Sequence, residues 1–352
     1  MISSKKSQLS RKKYRLRVHN KPQNSGFILL LTVILLSLMM AIVTKIYYRS
    51  SGVVPFIHTS LKRDQAHLLA FSGVQLAMSV LASKDYAQEE YLKQVFPAVN
   101  DWHKIELKKE IDGIDGEINF CITCEQGKFN LNKLYDFEKH AFPENKRKAL
   151  VEIFAKTSLL KSDFITELEN FLKTKSKPLT DIAELLESPK LVELFKDKIY
   201  YAPSKVNQAK IFLTDLFTVI DTHAKANPLL LSNSVLNIMG LNSYQDGAAR
   251  QQSVAAVFKK LHDLQEKPKA GASPAKAPEI EEIISDLYGV PKISKLSSEI
   301  LSLFVADILP PMTFSVLVYS TVNLITCKIF AIIQSDNANG GTYFNVVRLY
   351  WI

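Results

Sequence analysis

The chain has little cysteine, and the little it has excludes several classes of protein. Cys121, Cys124 and Cys327 are its three cysteines. They are too few for a disulfide scaffold and odd in number, so at most one bridge closes within the chain, and the redox compartment stays open. Cys121 and Cys124 have the spacing of a metal or redox pair, but a structural zinc needs about four ligands and no second pair exists. On a strand, residues three apart point to opposite faces. Both therefore read as buried strand cysteines, with a bridge to Cys327 as the alternative. Glycine is scarce, and no Gly-rich loop stands ready to cradle a phosphate. The seven histidines are scattered, none beside a Ser or Cys in a nucleophile-like setting, so no active site is recognisable and an enzyme is not expected. Asp112, Asp115 and Glu117, and Asp336 with Asn337 and Asn339, offer the oxygen ligands calcium takes without the spacing of a calcium loop. They read as turn residues; no cofactor is expected, and a structural calcium has no assignable site.

Acid is missing altogether from the first 26 residues. Lys5, Lys6, Arg11, Lys12, Lys13, Arg15, Arg17 and Lys21 lie there, and subtracting those eight from the chain's net +9 leaves +1 for everything after Gly26. The basic balance is a leader property. The body is nearly neutral, so the chain's basic count is no argument for a nucleic-acid partner there. At 47% hydrophobic over 352 residues, the rest is long and apolar enough for one large or two moderate domains.

Residues 27–43 (FILLLTVILLSLMMAIV) hold no charge, and only Thr32 and Ser37 are polar. A bilayer core of about 30 Å needs roughly 17 to 25 such residues. Lys45 can snorkel, and Tyr47 and Tyr48 supply an interfacial aromatic pair, extending the span to about residue 48. Cations before a span resist translocation, so the N-terminus belongs in the cytoplasm and the bulk beyond the membrane. A cleaved secretory signal fits poorly, because its apolar region is about 7 to 15 residues and ends in a small-residue site, whereas this run exits through Lys45-Ile46-Tyr47-Tyr48-Arg49. An uncleaved signal anchor holding a periplasmic scaffold fits the hydropathy equally well.

After the span, Ala66, Leu69, Gly73, Ala77 and Val80 recur at helical spacing, so a long N-terminal helix should pack its second half on a soluble domain, with a break at Gly52 and Pro55. Residues 103–107, 117–123 and 128–131 alternate apolar and polar between Gly and Asp turns, as an antiparallel meander does. From 133 to about 310 the period becomes helical, over residues 145–158, 162–174, 180–186, 207–220, 231–239, 244–266, 278–288 and 294–307. Residues 267–277 (KPKAGASPAKA) read as a flexible loop. Residues 313–319, 325–334 and 343–351 are rich in Val, Ile, Phe, Tyr and Thr, and the last two are joined by an Asn- and Gly-rich hairpin signal. The fold class is α+β: a long N-terminal transmembrane helix on an antiparallel sheet with a large all-helical insert.

Several groups of residues resemble a known family. Gly26 followed directly by Phe27 and the apolar helix resembles a class III signal, which prepilin peptidase cuts after the Gly before methylating the new N-terminus. The fifth residue after that cut is Leu31, where most pilins and pseudopilins carry Glu; its lack is typical of the K-type minor pseudopilin. Glu125-Gln126-Gly127-Lys128-Phe129-Asn130-Leu131-Asn132 resembles the signature of that same type, with Cys124 in place of its leading Asp. Asp64-Gln65-Ala66 is similar to a third K-type pattern. Residues 178–185 and 218–241 resemble degenerate forms of the type's two small helical, SAM-like modules. The resemblance is to general secretion pathway protein K and implies a pilin-like fold.

It implies a cleaved leader (1–26), an N-terminal helix (27–83), a first part of the β domain (84–132), the helical insert (133–310) and closing strands (311–352). Gly26 and Phe27 would be the processing site. Glu125, Gly127, Lys128, Asn130 and Asn132 would be structural, with Phe129 and Leu131 on one buried face, Asn130 and Asn132 on the other, and Asn132 free to cap the next helix. The implied role is assembly at the tip of the periplasmic pseudopilus of a type II secretion system. The implied partners are other minor pseudopilins, prepilin peptidase and the inner membrane, with no nucleic acid. A minor pilin of a type IV pilus or uptake system would share the fold.

Overall fold

The computed structural model describes residues 25–82, 88–155, 163–203, 211–220, 225–241, 256, 288, 297–304, 312–336 and 343–352. The chain divides into two compact units, Met1–Ser60 and Leu61–Ile352. The leader through residue 24, the loop at 267–277, nearly all of the expected helices at 244–266 and 278–288, and the 337–342 hairpin loop lie outside the described residues.

The described part of the first unit belongs to helix α1 (Ser25–Leu81). Among the described residues, this is the one helix long and apolar enough to cross a membrane. Its few hydroxyls bond back to their own helix: Thr32, Ser37 and Thr44 donate to the Leu29, Val33 and Met40 carbonyls at 2.8, 2.8 and 2.7 Å. Hydrocarbon tolerates such residues only when their polar groups are satisfied internally. The expected break at Gly52 and Pro55 does not occur, since Pro55 sits inside the continuous helix. Proline costs a helix interior about 3 kcal/mol. Stopping and restarting would forfeit several more hydrogen bonds and a second nucleation. The Thr59 hydroxyl also donates to the Pro55 carbonyl at 2.8 Å.

In the second unit, the later turns of α1 bury Ala66, Ala70, Gly73, Val74, Ala77 and Leu81. The stripe runs as expected except at its end, where Val80 is exposed and Leu81 takes the inward place; 81 lies a full turn beyond Ala77 and so stays in line with it. At Gly73 an added Cβ would stand 2.5 Å from Val318 Cγ1 and 3.0 Å from Ile118 Cγ2, so the lack of a side chain lets the helix seat against the sheet there.

That sheet has five antiparallel strands in the order β1-β2-β5-β6-β7: β1 (Trp102–Leu107), β2 (Gly116–Cys124), β5 (Thr313–Val322), β6 (Ile325–Asp336) and β7 (Tyr343–Trp351). One face meets α1 through Ile118, Ile122, Val316, Val318 and Ile329. The other carries Leu317, Tyr319, Phe330 and Ile332 against Tyr201 and Phe212. Strands buried on both faces read as continuous apolar runs rather than alternations, and β5 is buried over nearly its whole length.

Among the described residues between β2 and β5, the regular structure is helical apart from two 2-residue strands. Helices α5 (Glu144–Ala155), α6 (Phe164–Lys173), α7 (Pro189–Phe195), α9 (Asn233–Met239) and α10 (Ser298–Leu301) pack through Leu150, Phe154, Phe164, Leu168, Phe195 and Leu236. Short α4 (Leu131–Leu134) and α8 (Leu213–Leu216) lie there too, with 3-10 turns at Glu125–Gly127, Ile182–Glu187 and Pro228–Leu230, while α2 (Gln88–Val95) precedes β1 and α3 (Lys109–Asp112) joins β1 to β2. Two sequence expectations fail here. Residues 128–131 do not extend the meander: they form β3 (Phe129–Asn130), which pairs in parallel with β4 (Phe217–Thr218), and then enter α4. Of the helix expected at 207–220, only α8 is helical among the described residues, because 217 and 218 pair with β3 instead.

Candidate functional site: a buried signature joining sheet and helices

Where β2 ends at Cys124, the chain makes a 3-10 turn over Glu125–Gly127 that is buried throughout. Gly127 is required by close approach. A Cβ there would stand 1.7 Å from the Leu230 carbonyl oxygen, so no side chain fits while the Pro228–Leu230 turn lies across it. The backbones lock at the same place: Asn227 N donates to the Gln126 carbonyl at 2.7 Å and Ser232 N to the Gly127 carbonyl at 3.2 Å. Asn100, at φ 65°, reaches the same segment, donating through Nδ2 to the Leu231 carbonyl at 2.7 Å.

Lys128 points inward, its side chain 1% exposed and that of Glu125 3%. Its ammonium donates to Glu125 Oε1, to the Thr214 carbonyl at 2.7 Å and to Ser315 Oγ at 2.7 Å, which uses all three protons. The second carboxylate oxygen of Glu125 accepts from Thr218 Oγ1. One ion pair thus ties the turn, α8, β4 and β5 together. Nearby, Asp215 Oδ2 accepts from Ser234 N at 2.7 Å near the start of α9, and the Ser232 hydroxyl donates to the Asp215 carbonyl. Burial pushes the Asp215 carboxyl up, against the pull of Lys128 and the Ser234 bonds.

The two asparagines are fasteners. Asn130 Nδ2 donates to the Ile220 carbonyl at 2.7 Å. Asn132 takes Leu179 in both directions, accepting from its N–H at 2.8 Å and donating to its carbonyl at 2.8 Å, and it also donates to the Val219 carbonyl at 3.0 Å. Phe129 and Leu131 are buried as expected. The opposing polar face is not exposed, because Asn130 is buried too, and Asn132 does not cap the next helix. It lies inside α4, whose N-cap position is Asn130, and Asn130 makes no side-chain capping bond. A two-residue strand cannot present a second, solvated face before the helix begins.

The structure therefore brings Glu125, Gly127, Lys128, Asn130 and Asn132 into one junction. Gly26 and Phe27 belong to the first unit, in the opening turn of α1, where Phe27 is exposed. Thr214, Thr218 and Ser315 are members that sequence reasoning missed. Thr214 and Thr218 stand as polar breaks in the run IFLTDLFTVI, and that was the available signal. Chemically the junction is closed: every proton of Lys128 is engaged, and no nucleophile is aimed at open space.

The cysteines are free, all three buried. Cys124 lies in the core that holds α1, whereas Cys121 faces Tyr201 and Leu317 on the other side of the sheet. Burial pushes both thiols up, that of Cys124 to about 12, which leaves them unreactive. Asp112 and Asp115 accept the Lys108 and Lys109 backbone N–H groups at 2.8 and 2.9 Å, as turn residues do. Among the described residues no group of three or more His, Cys, Asp or Glu is gathered around a metal-sized space. Asn337 and Asn339 lie outside the described residues.

No protein-family model matches the chain, and no curated protein matches it. Among solved structures it is similar to a chain in the crystal structure of the GspK-GspI-GspJ complex from the enterotoxigenic Escherichia coli Type 2 Secretion System. The TM-score is 0.45 and the identity 13%, over 84% of this chain and 99% of that one. At that identity no residue role passes from one to the other.

Proposed function

We propose that this chain is a minor pseudopilin of the K type, a non-enzymatic structural subunit at the tip of a periplasmic pseudopilus, held in the inner membrane by α1 until it is assembled. The observation that carries the reading is the junction at residues 125–132. Lys128 ties the helical insert to the sheet through Ser315, Gly127 admits the Pro228–Leu230 turn against the end of β2, and Asn132 fastens Leu179 and Val219 to one another within the insert. The apolar opening of that helix, headed by Gly26 and Phe27, supports the same reading. The N-terminus would face the cytoplasm and the second unit the periplasm. Prepilin peptidase would act between Gly26 and Phe27, and other minor pseudopilins would be the partners. No cofactor is required, and a structural calcium is left without a site. Intact-mass analysis of membrane-extracted protein, with prepilin peptidase present, should find a chain that begins at a methylated Phe27. An intact leader under those conditions would overturn the proposal.

A further inference from the structure

Among its described residues, the second unit exposes two large apolar side chains more than any other, Leu324 at 98% and Ile111 at 81%. They sit on neighbouring turns. Val322 pairs with Ile325, so the β5–β6 turn is Asn323 and Leu324, with Asn323 at φ 54°. Gly116, where β2 begins, pairs with Leu107 on one side and with Val322 on the other, which sets the β1–β2 connection beside that turn. In this connection α3 buries no residue. It is pinned by its own loop: Asp112 and Asp115 accept the Lys108 and Lys109 N–H groups, and the Gly113 N–H bonds to the Lys109 carbonyl at 3.1 Å. A helical turn that covers nothing thus holds Ile111 out in a fixed place. One exposed aliphatic side chain is ordinary, but two on adjacent turns make a rim. The rim lies at the end of the unit where α1 enters at Leu61. There Ser320 Oγ donates to the Ala66 carbonyl at 2.5 Å and Cys327 Sγ lies 3.9 Å from the Arg63 carbonyl. From Leu61 back to Tyr48, at the expected edge of the span, the chain has 61 − 48 = 13 residues to cover, about 20 Å as helix.

We propose that Ile111 and Leu324 dip into the phospholipid surface of the membrane that α1 spans, so that the second unit rests on the bilayer while the chain is still anchored. This rests on the membrane anchoring in the function proposed above. Lipid suits these residues better than a protein partner does, because separate aliphatic tips enter a fluid surface without a matching shape, whereas a protein interface needs a contiguous, closely packed core. Charge at the rim agrees. Lys62, Arg63, Lys108 and Lys109 stand at this end, and their stems are long enough to carry a cation to the headgroup phosphates beside a buried tip. Most acids nearby are already engaged: Asp112 and Asp115 by the backbone N–H groups of their own loop, and Glu106 and Glu117 by Lys104 at 2.8 and 3.1 Å, which leaves Glu110. Two side chains would not hold a free domain on a bilayer. With α1 as tether the contact is intramolecular, and the raised effective concentration lets a small apolar area decide where the unit rests.

The test uses the full chain in nanodiscs that hold one copy each, made of phosphatidylethanolamine and phosphatidylglycerol brominated near the top of the acyl chain. The three native thiols are buried, so a single added cysteine carries the fluorophore. Labels on Ile111→Cys and Leu324→Cys should be quenched by the brominated lipid. A label on Tyr343→Cys, 60% exposed at the opposite end of the sheet, should not be. Ile111→Ser should remove most of the quenching at position 324 and leave the melting curve unchanged, because the Ile111 side chain packs on nothing in the fold. Quenching at 111 and 324 no greater than at 343, or indifference of position 324 to Ile111→Ser, would overturn the contact. So would rim labels shielded from aqueous iodide yet untouched by brominated lipid, which would put protein over the rim. A label on Leu35→Cys separates the two readings: strong quenching there with none at the rim sinks the contact alone, whereas none at position 35 sinks the anchoring beneath it.

Discussion

Lys128 is the residue on which the junction turns, because a buried ammonium is tolerable only when every proton is placed. Removing it strands the Glu125 carboxylate in the interior with Thr218 as its remaining partner. Lys128→Met should therefore cost about 3–5 kcal/mol, whereas the double variant with Glu125→Leu should recover much of that loss, since the uncompensated charge leaves with its partner. Urea midpoints of the detergent-solubilised chain check both, and equal destabilisation of the single and double variants would contradict the account. The sequence displayed Glu125, Gly127 and Lys128 together as a pattern. It did not display Thr214 or Ser315, which lie 86 and 187 positions away from Lys128.

At the scale of elements, the 3-10 turn at Ile182–Glu187 shows how a short segment is held without a long helix. Asp181 and Glu184 form a reciprocal capping box, and Lys175 reaches Glu184 at 3.1 Å. Desolvation works to raise the Glu184 carboxyl, but bonds from Thr180, Asp181 and Lys175 outweigh it and hold the group down at about 2, against an ordinary 4.5. The ionised form is the one the native state favours. Its stabilisation is therefore complete above pH 4.5 and drains away as the pH falls toward 2. Solvent screening holds the contribution to on the order of 1 kcal/mol. Glu184→Gln should lower the urea midpoint at pH 7 and flatten its fall between pH 4.5 and 2; parallel curves for variant and parent would refute the assignment. Elements were legible where their period was unbroken, as in α5, α6 and the three closing strands. They were not legible at 128–131 and 207–220, where a parallel pair between β3 and β4 overrode the local pattern.

For the whole molecule, charge is segregated along the chain rather than spread over it. With eight cations in the first 26 residues and +1 beyond, unprocessed protein should be retained on a heparin or duplex-DNA column at low salt. Chain lacking residues 1–26 should pass almost unretained. Equal retention of the two forms would show that the body carries a basic face its composition does not suggest.

The linear order of residues was enough to determine the apolar helix, the basic composition of the first 26 residues, the closing strands and the helices α5 and α6, because each is a local period or a local composition. It also determined that Cys121 and Cys124 face opposite ways, since alternation on a strand is a property of the backbone. Only the tertiary structure decided that the third alternating segment quits the sheet and that Lys128 is spent on a buried junction. Those outcomes depend on partners far away in sequence: the Leu230 carbonyl over Gly127, the Thr214 carbonyl and Ser315 around one ammonium, and β4 beside β3. Local propensity is silent on such contacts, because what fixes them is the requirement that buried charges and backbone groups find partners.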